Sequence, residues 1–598
     1  MRSPLKNLHL PKRNLPSAGS LFIIRKREVV HLNLQEKKKL IRCAAGEMEP
    51  DFVLKNAAIA DVFTETLFRG DIAVLGGRIA GVGSYSAELE IDCSGRVVTP
   101  GLIDAHMHLE SSMTSPSILA PVLLAHGTTA VIADPHEIVN VCGEKGIRWL
   151  MSDSAKTFLD VFFALPSCVP LSENDHNGAV FAASEIKKLR GDPRVCGLGE
   201  VMDPNGVVAG DEGLLEKIEL MRNGTIDGHA PGVSGRSLQA YRAAGVQTDH
   251  ECLTWEGALE RLRAGFIVQV REGSAAKNLE GIIRGALREG VSFDRFVFCT
   301  DDVHIDDVST YGHIDRNIRM SISLGVKPVT AVKMATLNAA RAYGLRDRGA
   351  IAPGYLADLV VLDDLESFTI HKIYKNGVPL EKLPARSRKT PADRRMTHSV
   401  NIPVLPKDCF RMKACSSFPV IGIVPGQLVT EKLMLPLPEK NGTFTPSGDI
   451  LKIAVVQRHD GSGRVGVGAV KGFGLKNGAA ASTVGHDAHN LIVIGDNDTD
   501  MLAAVKELKA CGGGYTLVRG GKPVKTVRLE IAGLFTDDRE IDIPKELHEM
   551  TDLAHQMGVP ENIDVFQNLS FLSLPVIPAL RITDCGVYDV EARKFLSP

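Results

Sequence analysis

The spacing of apolar residues differs from one stretch of the chain to the next and divides it into several parts. Between residues 50 and 98, short β-rich runs alternate with glycine turns, which is typical of a small β-domain. From residue 99 to residue 345, apolar strand-like runs alternate with helix-length segments. Such alternation indicates βα units and a parallel sheet.

The central stretch contains eight strand-like runs. They begin at Gly101, Thr128, Val161, Val195, Gly224, Ala244, Phe266 and Phe296. Eight βα units are the number that closes a TIM-type (β/α)8 barrel. We therefore expect an α/β fold with such a barrel at residues 99–345.

The stretches around the barrel predict three further parts. Residues 346–380 are again β-like, and we expect them to pair with residues 50–98 in one small β-domain. Residues 381–405 are rich in Pro, Arg and Lys and predict a linker. Residues 406–598 carry alternating strand and helix signals and predict a separate C-terminal α+β domain. Residues 1–49 predict an N-terminal extension with one helix.

Composition narrows the classes of partner. A chain of 598 residues exceeds the ~250–300 residues of a single domain. The net charge of -3 gives no basic excess, so we expect a small molecule rather than nucleic acid or a membrane surface. No apolar run reaches the ~18 residues of a transmembrane helix. The 11 cysteines include no CxxC pair, which indicates a reducing compartment, and we expect a cytoplasmic protein.

Polar residues follow several of the predicted barrel strands, at the end where such barrels place their active sites. His106 and His108 end the first strand, and alternate strand residues point to one face, so both imidazoles can reach one metal ion. The ends of four other strands supply Glu200, His229, His250 and Asp301. A lone histidine is usually structural. Four histidines and two carboxylates at one end of five strands indicate a metal centre.

The number of candidate ligands favours a binuclear centre. Six exceed the three protein ligands of one open catalytic site. They suit two metals ~3.5–4 Å apart that share a carboxylate, with Glu200 as the bridge. Mixed imidazole and carboxylate ligation suits manganese, iron or zinc and does not distinguish among them.

Several motifs resemble a known superfamily. The segment Pro100-Gly-Leu-Ile-Asp-Ala-His106-Met-His108 and the Ala-Asp-Leu-Val-Val-Leu run ending at Leu362 resemble the amidohydrolase superfamily. Many of its members carry a carboxylated lysine at the fourth strand, where this chain has Glu200. The segments 109–113, 134–138, 197–203, 228–232 and 484–490 are similar to the adenine deaminase family. The similarity extends from about residue 50 through most of the chain.

The resemblance implies hydrolysis of adenine to hypoxanthine and ammonia, by a metal-activated hydroxide that attacks C6, as a step of purine salvage. It implies two divalent metals per chain, with manganese expected first and iron or zinc as alternatives, and a homodimer. Asp301 would be both a metal ligand and the proton shuttle, and Glu200 the bridging ligand. The remaining implied ligands are His106, His108, His229 and His250.

For two further groups of residues, the sequence leaves both a functional and a structural role open. His136 and Glu137, which follow the second strand, could protonate the purine ring or orient the metal ligands. The structural alternative is that Asp134-Pro135 simply begins a helix here. The C-terminal residues His486, Asp487 and His489 could form an ordinary polar loop, close over the barrel mouth or bind an extra ion.

Two other functions compete with deamination. An amidohydrolase that cleaves an amide, such as a cyclic amidase or N-acetylglucosamine-6-phosphate deacetylase, also fits the barrel. The deacetylase tolerates a glutamate at the fourth strand but would need cationic residues for the phosphate, and no Arg/Lys cluster lies beside the motifs. A non-catalytic barrel that serves as a scaffold is the alternative of another class, and the presence of all six ligands argues against it.

Overall fold

The computed structural model describes residues 32–172, 176–384, 389–425 and 427–596, so most of the predicted N-terminal extension lies outside the described residues. Asn33 caps the first helix, because its side chain accepts the backbone N–H groups of Gln35 and Glu36. The first elements are α1 (Leu34–Ala44), β1 (Phe52–Asp61), β2 (Thr66–Leu75), β3 (Arg78–Gly83), β4 (Glu90–Asp92) and β5 (Val97–Pro100).

Eight strands then form two arcs of parallel sheet that close on each other. Neighbours in space follow the orders β10-β9-β8-β7-β6 and β11-β12-β13. The backbone N–H of Asp301 donates to the carbonyl of His106 over 2.9 Å, and that of Gln247 donates to Ile226 over 2.8 Å, so the arcs meet on both sides. The strands are β6 (Leu102–Met107), β7 (Thr128–Ala133), β8 (Asp160–Leu165), β9 (Val195–Val201), β10 (Thr225–Gly228), β11 (Thr248–Asp249), β12 (Ile267–Arg271) and β13 (Phe296–Cys299).

The helices of this region surround the strands, and every residue of β6 and β7 is buried. Burial on both faces explains why these strands read as continuous apolar runs. The helices are α2 (Pro116–Ala125), α3 (His136–Cys142), α4 (Glu144–Ser154), α5 (Ala183–Leu189), α6 (Pro204–Ala209), α7 (Glu212–Leu220), α8 (Gly235–Ala243), α9 (Trp255–Arg263), α10 (Leu279–Glu289), α11 (Ile305–Tyr311), α12 (Ile314–Ser323), α13 (Pro328–Lys333) and α14 (Ala339–Ala342).

The chain then returns to its first sheet through β14 (Leu359–Asp364), β15 (Thr369–Lys375) and β16 (Val378–Pro379). β14 pairs antiparallel with β5, and the order is β16-β15-β14-β5-β1-β2-β3, with β4 beside β1. Lys375 is fully buried beneath this sheet, and its Nζ donates to Asp358 and, over 2.7 Å, to Asp160 at the start of β8. One ion-paired cation therefore joins the small sheet to the barrel.

The C-terminal part is built around a second eight-stranded sheet, in the order β18-β17-β22-β21-β24-β23-β25-β26. Its helices are α15 (Arg394–Thr397), α16 (Asp498–Cys511), α17 (Ile543–Gln556) and α18 (Val565–Leu572). Its strands are β17 (Phe418–Ile423), β18 (Thr430–Leu435), β19 (Glu439–Lys440), β20 (Thr443–Phe444), β21 (Ile450–Val456), β22 (Val465–Lys471), β23 (Ala479–Ser482), β24 (Leu491–Gly495), β25 (Gly514–Arg519), β26 (Lys522–Arg528), β27 (Leu580–Thr583), β28 (Gly586–Asp589) and β29 (Lys594–Leu596).

Alternate residues of β21 pack on opposite faces of this sheet. Ala454 and Val456 share a core with α16, whereas Ile453 and Val455 belong to the core that also contains α17, α18 and barrel residues. Val400, Ile402 and Leu405 are buried in the α16 core. The second half of the segment predicted as a linker thus packs on the C-terminal domain. The predicted fold class, an α/β barrel with a small β-domain and a C-terminal α+β domain, is confirmed.

The C-terminal domain lies against the barrel mouth. The N–H of Thr536 donates to Met113 over 2.9 Å, and the N–H of Ser115 donates to Thr536 over 3.0 Å. The hydroxyl of Ser115 also donates to Asp537 over 2.8 Å. These bonds hold the segment after β6 directly against the second domain. Within the described part of the chain, no helix is both long and apolar enough to cross a membrane.

Candidate active site

Strand β6 places two histidines at the carboxyl end of the barrel. His106 lies in the strand and His108 directly after it, and their exposed fractions are 0% and 3%. Nδ1 of His108 lies 3.0 Å from the carbonyl oxygen of Asp134. Because a carbonyl can only accept, Nδ1 carries a proton, and Nε2 is the nitrogen that faces the site.

Glu200 lies among the histidines and divides its two oxygens between them. Oε2 is 2.7 Å from Nδ1 of His229 and 3.2 Å from Nε2 of His250. Oε1 is 3.4 Å from Nε2 of His108. Each oxygen of Glu200 therefore faces a different set of imidazoles, which is the arrangement that a bridging carboxylate requires.

Asp301 follows β13 with a φ of 59°, in the left-handed region that non-glycine residues seldom adopt and that clusters at functional sites. Oδ1 lies 3.0 Å from Nε2 of His108, and Oδ2 lies 2.7 Å from Nη1 of Arg271. Burial by itself would raise the pKa of Asp301, but Arg271 and the histidines hold that pKa well below its usual value. The carboxylate is thus ionised and fixed, with one oxygen toward the histidines.

The buried groups fit a divalent metal centre. Both ring nitrogens of His106, Nδ1 of His250 and Oδ2 of Asp227 are buried without a hydrogen-bond partner among the described residues, although buried polar atoms are normally paired. Burial favours a neutral imidazole at His106, yet Asp227 and Asp301 raise the pKa of His106 to about 10. The cluster therefore brings several carboxylates together with buried ring nitrogens that have no partner, and a bound cation would satisfy both.

His136 and Glu137 begin α3 beside this cluster. Nδ1 of His136 lies 3.5 Å from Oε1 of Glu200, and Nε2 lies 3.6 Å from Oε1 of Glu137. Asp134 accepts the backbone N–H of Glu200 over 2.8 Å and that of His136 over 3.3 Å. His136 thus lies between the carboxylates of Glu200 and Glu137, and Asp134 fixes the backbone of both His136 and Glu200.

The C-terminal domain reaches the same place through residues 484–490, which we name the mouth loop. Nδ1 of His486 contacts Oε1 of Glu137, and Nε2 of His489 contacts Oε2. Nδ1 of His489 accepts the N–H of Gly485 over 3.1 Å, so its proton is on Nε2 and points at Glu137. Burial would raise the pKa of Glu137, but the three histidines around it hold that pKa well below its usual value.

Comparisons with known proteins show which family the chain belongs to. The amidohydrolase family model matches residues 97–380, and the model of the adenine deaminase C-terminal domain matches residues 427–594. The adenine deaminase of Nitratidesulfovibrio vulgaris (strain DP4) is 46% identical over 568 residues, which are 93% of this chain and 98% of that protein. The chain belongs to the adenine deaminase family. The resemblance seen in the sequence motifs is confirmed.

Other members and a solved structure extend the comparison. The adenine deaminase of Desulfitobacterium hafniense (strain Y51) is 42% identical over 566 residues, which are 94% of this chain and 99% of that protein. A crystal structure of an adenine deaminase aligns with a TM-score of 0.42 at 16% identity, and the alignment covers 55% of this chain and 99% of that chain.

In this member of the adenine deaminase family, the fold brings every candidate ligand into one cluster and adds residues that the sequence motifs did not single out. Arg271 ends β12, and its Nη1 bridges Asp301 and Glu251. Oε1 of Glu251 lies 3.5 Å from Nε2 of His250. Both residues lie at strand ends. The rule that located the other ligands, polar residues at the carboxyl ends of barrel strands, could therefore have located these two as well.

Glu110 is a second addition to the site. It is 4% exposed, its Oε1 accepts the N–H of Ile138 over 3.1 Å, and its Oε2 has no partner among the described residues. Burial raises the pKa of Glu110 to about 7. A carboxyl that titrates near neutrality therefore lies beside the first histidine pair.

Proposed function

We propose that the chain hydrolyses adenine to hypoxanthine and ammonia. The observation that carries the proposal is the cluster around Glu200, complete at all five strand ends, in a chain 46% identical to an adenine deaminase. Hydrolysis adds the oxygen of water to C6, breaks the bond from C6 to the amino nitrogen and releases ammonia.

Two divalent metals per chain would be held by these side chains, with manganese first and iron or zinc as alternatives. Ligand atoms of His106, His108 and Asp301 lie within 4.8 Å of one another, as do those of His106, Glu200 and His250. His229 faces the oxygen of Glu200 that also faces His250. Glu200 would bridge the two positions.

When bound, such metals lower the pKa of water towards ~7 and polarise the substrate. Asp301 accepts the proton of the attacking water as the bond from oxygen to C6 forms, and then delivers it to the amino group. Arg271 holds Oδ2 of Asp301, so Oδ1 stays toward the site for this transfer. The enclosed site excludes bulk water, because Asp301 and Glu200 are 5% and 4% exposed.

Attack at C6 places negative charge on the ring nitrogen N1, which needs a proton. Both oxygens of Glu137 are occupied by the mouth-loop histidines. Although burial opposes the charged ring, Glu137 and Asp134 raise the pKa of His136 well above its usual value, so this imidazole is protonated. We assign proton delivery to His136 and its stabilisation as a cation to Glu137. The second proton of the water is lost as the C6 carbonyl forms and balances the proton that His136 supplies to N1.

The test is to incubate manganese-loaded protein with adenine and to follow purine absorbance and ammonia release together. Adenosine and N-acetylglucosamine-6-phosphate run alongside. We expect conversion of adenine alone. A protein that holds two metals and leaves adenine unchanged would overturn the proposal, and release of acetate from the sugar phosphate would assign the deacetylase function instead.

The substitution Asp301→Asn tests the proton shuttle. The amide keeps the shape of the carboxylate but is a poor proton acceptor, so we expect kcat to fall by roughly 10²–10⁴-fold. Metal content, measured by elemental analysis, separates lost proton transfer from lost ligation. Asp307→Asn on α11 is the matched control and should retain wild-type kcat. An Asp301→Asn protein with two metals and full activity would remove Asp301 from the mechanism.

We further propose a homodimer that works in the cytoplasm. All eleven cysteines are free thiols, which suits a reducing compartment. Phe63, Leu67 and Phe68 of the β1–β2 hairpin are exposed by 46%, 48% and 41%, and clustered exposed apolar residues mark contact surfaces. Light scattering after size exclusion measures the assembly, and a single-chain mass would exclude the dimer.

A further inference from the structure

A second group of metal-ligating side chains lies where the barrel meets the C-terminal domain. It consists of His176, from the segment between β8 and α5, and of Asp584 and Cys585, from the turn that joins β27 to β28. One ligand atom of each residue lies within 4.8 Å of the other two. We name these three residues the junction cluster. It shares no residue with the cluster around Glu200.

The turn that carries two members of the junction cluster is packed directly on the large sheet. Thr583 and Gly586 pair across β27 and β28, so Asp584 and Cys585 form a two-residue hairpin turn. The N–H of Cys585 donates to Oγ1 of Thr583 over 3.1 Å. Gly466 of β22 runs against the turn, and any side chain at Gly466 would collide with the carbonyl of Thr583. Both side chains of the turn therefore start from a fixed backbone.

His176 reaches the turn from the barrel side. Nδ2 of Asn490, the last residue of the mouth loop, donates to the carbonyl of His176 over 2.9 Å. Nδ1 of His176 lies 3.0 and 3.1 Å from the two oxygens of Asp584 and 3.8 Å from Sγ of Cys585. In a tetrahedral zinc site with bonds of ~2.0–2.3 Å, neighbouring ligand atoms lie ~3.3–3.6 Å apart. The three side chains already have nearly this spacing.

The charges at the junction cluster suit a cation. Asp584 is 1% exposed, and it faces the partly exposed side chains of His176 and Arg464, which are 36% and 43% exposed. Nη1 of Arg464 lies 3.0 Å from Oδ2 of Asp584 and 2.8 Å from Nδ1 of His176. A positive group thus already stands among the ligand atoms. It belongs to a long side chain at the surface, which can turn into solvent and leave its place to an ion.

We propose that the junction cluster binds a zinc ion. The ligands are Nδ1 of His176, a carboxylate oxygen of Asp584 and Sγ of Cys585, with water in the fourth position. Thiolate and imidazole together favour zinc, whereas manganese favours oxygen ligands. Binding releases the thiol proton of Cys585 to solvent and turns Arg464 outward. The ion ties a barrel segment to the C-terminal domain and takes no part in the reaction at Glu200, so the inference is independent of the proposed function.

The experiment uses cobalt(II) as a probe, because a bond between cobalt(II) and a thiolate gives a charge-transfer band in the near ultraviolet. The cluster around Glu200 has no sulfur among its proposed ligands, so the band reports on the junction cluster. Cobalt chloride is titrated into the manganese-loaded full chain, and zinc chloride then competes for the site. The proteins are wild type, Cys585→Ser, Asp584→Asn, Arg464→Gln and the control Cys415→Ser, a partly buried cysteine of the same domain.

We expect the band in the wild type and in Cys415→Ser, and we expect zinc to abolish it. Cys585→Ser should show no band. Asp584→Asn should bind cobalt at least ~10-fold more weakly, because an amide is a poorer ligand than a carboxylate. Arg464→Gln should bind it roughly 10-fold more tightly, because a competing positive charge is gone. Zinc should also raise the Tm of the wild type more than that of Cys585→Ser, since a ligand of the folded state stabilises it.

Three results would overturn the proposal. The first is a wild-type protein without the band, and the second is a band that persists in Cys585→Ser. The third is a band that appears only in Arg464→Gln, because the guanidinium would then be the permanent cation of the junction cluster. Cys585 and Arg464 are both at the surface, so these variants should fold normally, and circular dichroism verifies it.

Discussion

Asp301 and Arg271 illustrate how a neighbour fixes what one side chain can do. Arg271 is 3% exposed, and its guanidinium meets carboxylates of Asp301 and Glu251. The positive charge keeps Asp301 ionised despite burial, and the geometry leaves one of its oxygens for the site. A carboxylate in the same place without this partner would be free to rotate and would be costly to keep charged.

Replacement of Arg271 therefore affects both stability and activity. Arg271→Met leaves two buried carboxylates without their cation, and we expect it to cost about 3–5 kcal/mol of unfolding free energy and to lower kcat by at least ~10-fold. Arg271→Lys keeps the positive charge but lacks the forked donor geometry of the guanidinium group, so the losses of unfolding free energy and of kcat should be smaller than in Arg271→Met. Urea titration and steady-state kinetics measure the two effects.

The control for this change is Arg284→Met on α10, whose ion pair with Glu280 is surface-exposed. Such pairs contribute at most ~1 kcal/mol, so stability and kcat should hardly change. If Arg271→Met behaved like this control, the account of how Asp301 is held would be wrong.

The sequence was sufficient to predict candidate ligands, because His106 and His108 share a strand face and the other groups sit at strand ends. It gave no local indication that His489 contacts Glu137, which is 352 residues earlier in the chain. Contacts of that kind depend on how two domains pack, and no periodicity of apolar residues encodes them.

Among the elements, strand β11 shows where the pattern of apolar residues fails to predict the start of a strand. The sixth predicted strand begins at Ala244, but Ala244 still caps α8, and Gly245, with a φ of 113°, turns the chain. Only Thr248 and Asp249 pair in the sheet. Strands with longer buried runs, such as β7, begin at the residue that the pattern indicates. A two-residue strand is set by its neighbours rather than by its own sequence.

Helix α12 offers a pH-dependent test of element packing. Asp315 is 3% exposed, and although burial opposes ionisation, His126 and Arg319 lower the pKa of Asp315 to about 2. The unfolded value is about 3.9, so the stabilisation is fully present above that pH and is lost as pH falls towards 2. Asp315→Asn removes this dependence.

We therefore expect the stability difference between wild type and Asp315→Asn to be about 1 kcal/mol smaller at pH 3 than at pH 5. Urea denaturation followed by circular dichroism at both pH values measures it. Asp307→Asn, on the neighbouring helix α11, should show no such change with pH. A difference that is constant between the two pH values would contradict the role given to His126 and Arg319.

At the scale of the whole molecule, the small β-domain was predicted from two distant segments because both carry β patterns that flank the barrel. The structure adds the reason that they stay attached. Lys375 is fully buried and pairs with Asp358 of its own sheet and Asp160 of the barrel. The linker interpretation of residues 381–405 described only part of that segment, because apolar residues between its prolines pack under α16.

Lys375→Ala should cost about 3–5 kcal/mol, since it leaves the buried carboxylate of Asp358 without its cation at the joint between sheet and barrel, while Asp160 keeps its ion pair with Arg348. Thermal and urea unfolding measure the loss. Lys372→Ala lies on the same strand, but its side chain is 32% exposed beside Glu381, and we expect a change of at most ~1 kcal/mol. Equal effects of the two substitutions would show that the joint is held by other contacts.

The pairing of Glu137 with the mouth loop also has a consequence for biosynthesis. Ribosomes build the chain from its amino terminus, so the barrel and all six candidate ligands emerge long before His486 and His489. Until then Glu137 lacks the two mouth-loop histidines and has His136 beside it, and the mouth of the barrel is uncovered. Translation that stops early therefore yields barrels whose active site lacks its cover, and only a chain read almost to its end can carry the finished one.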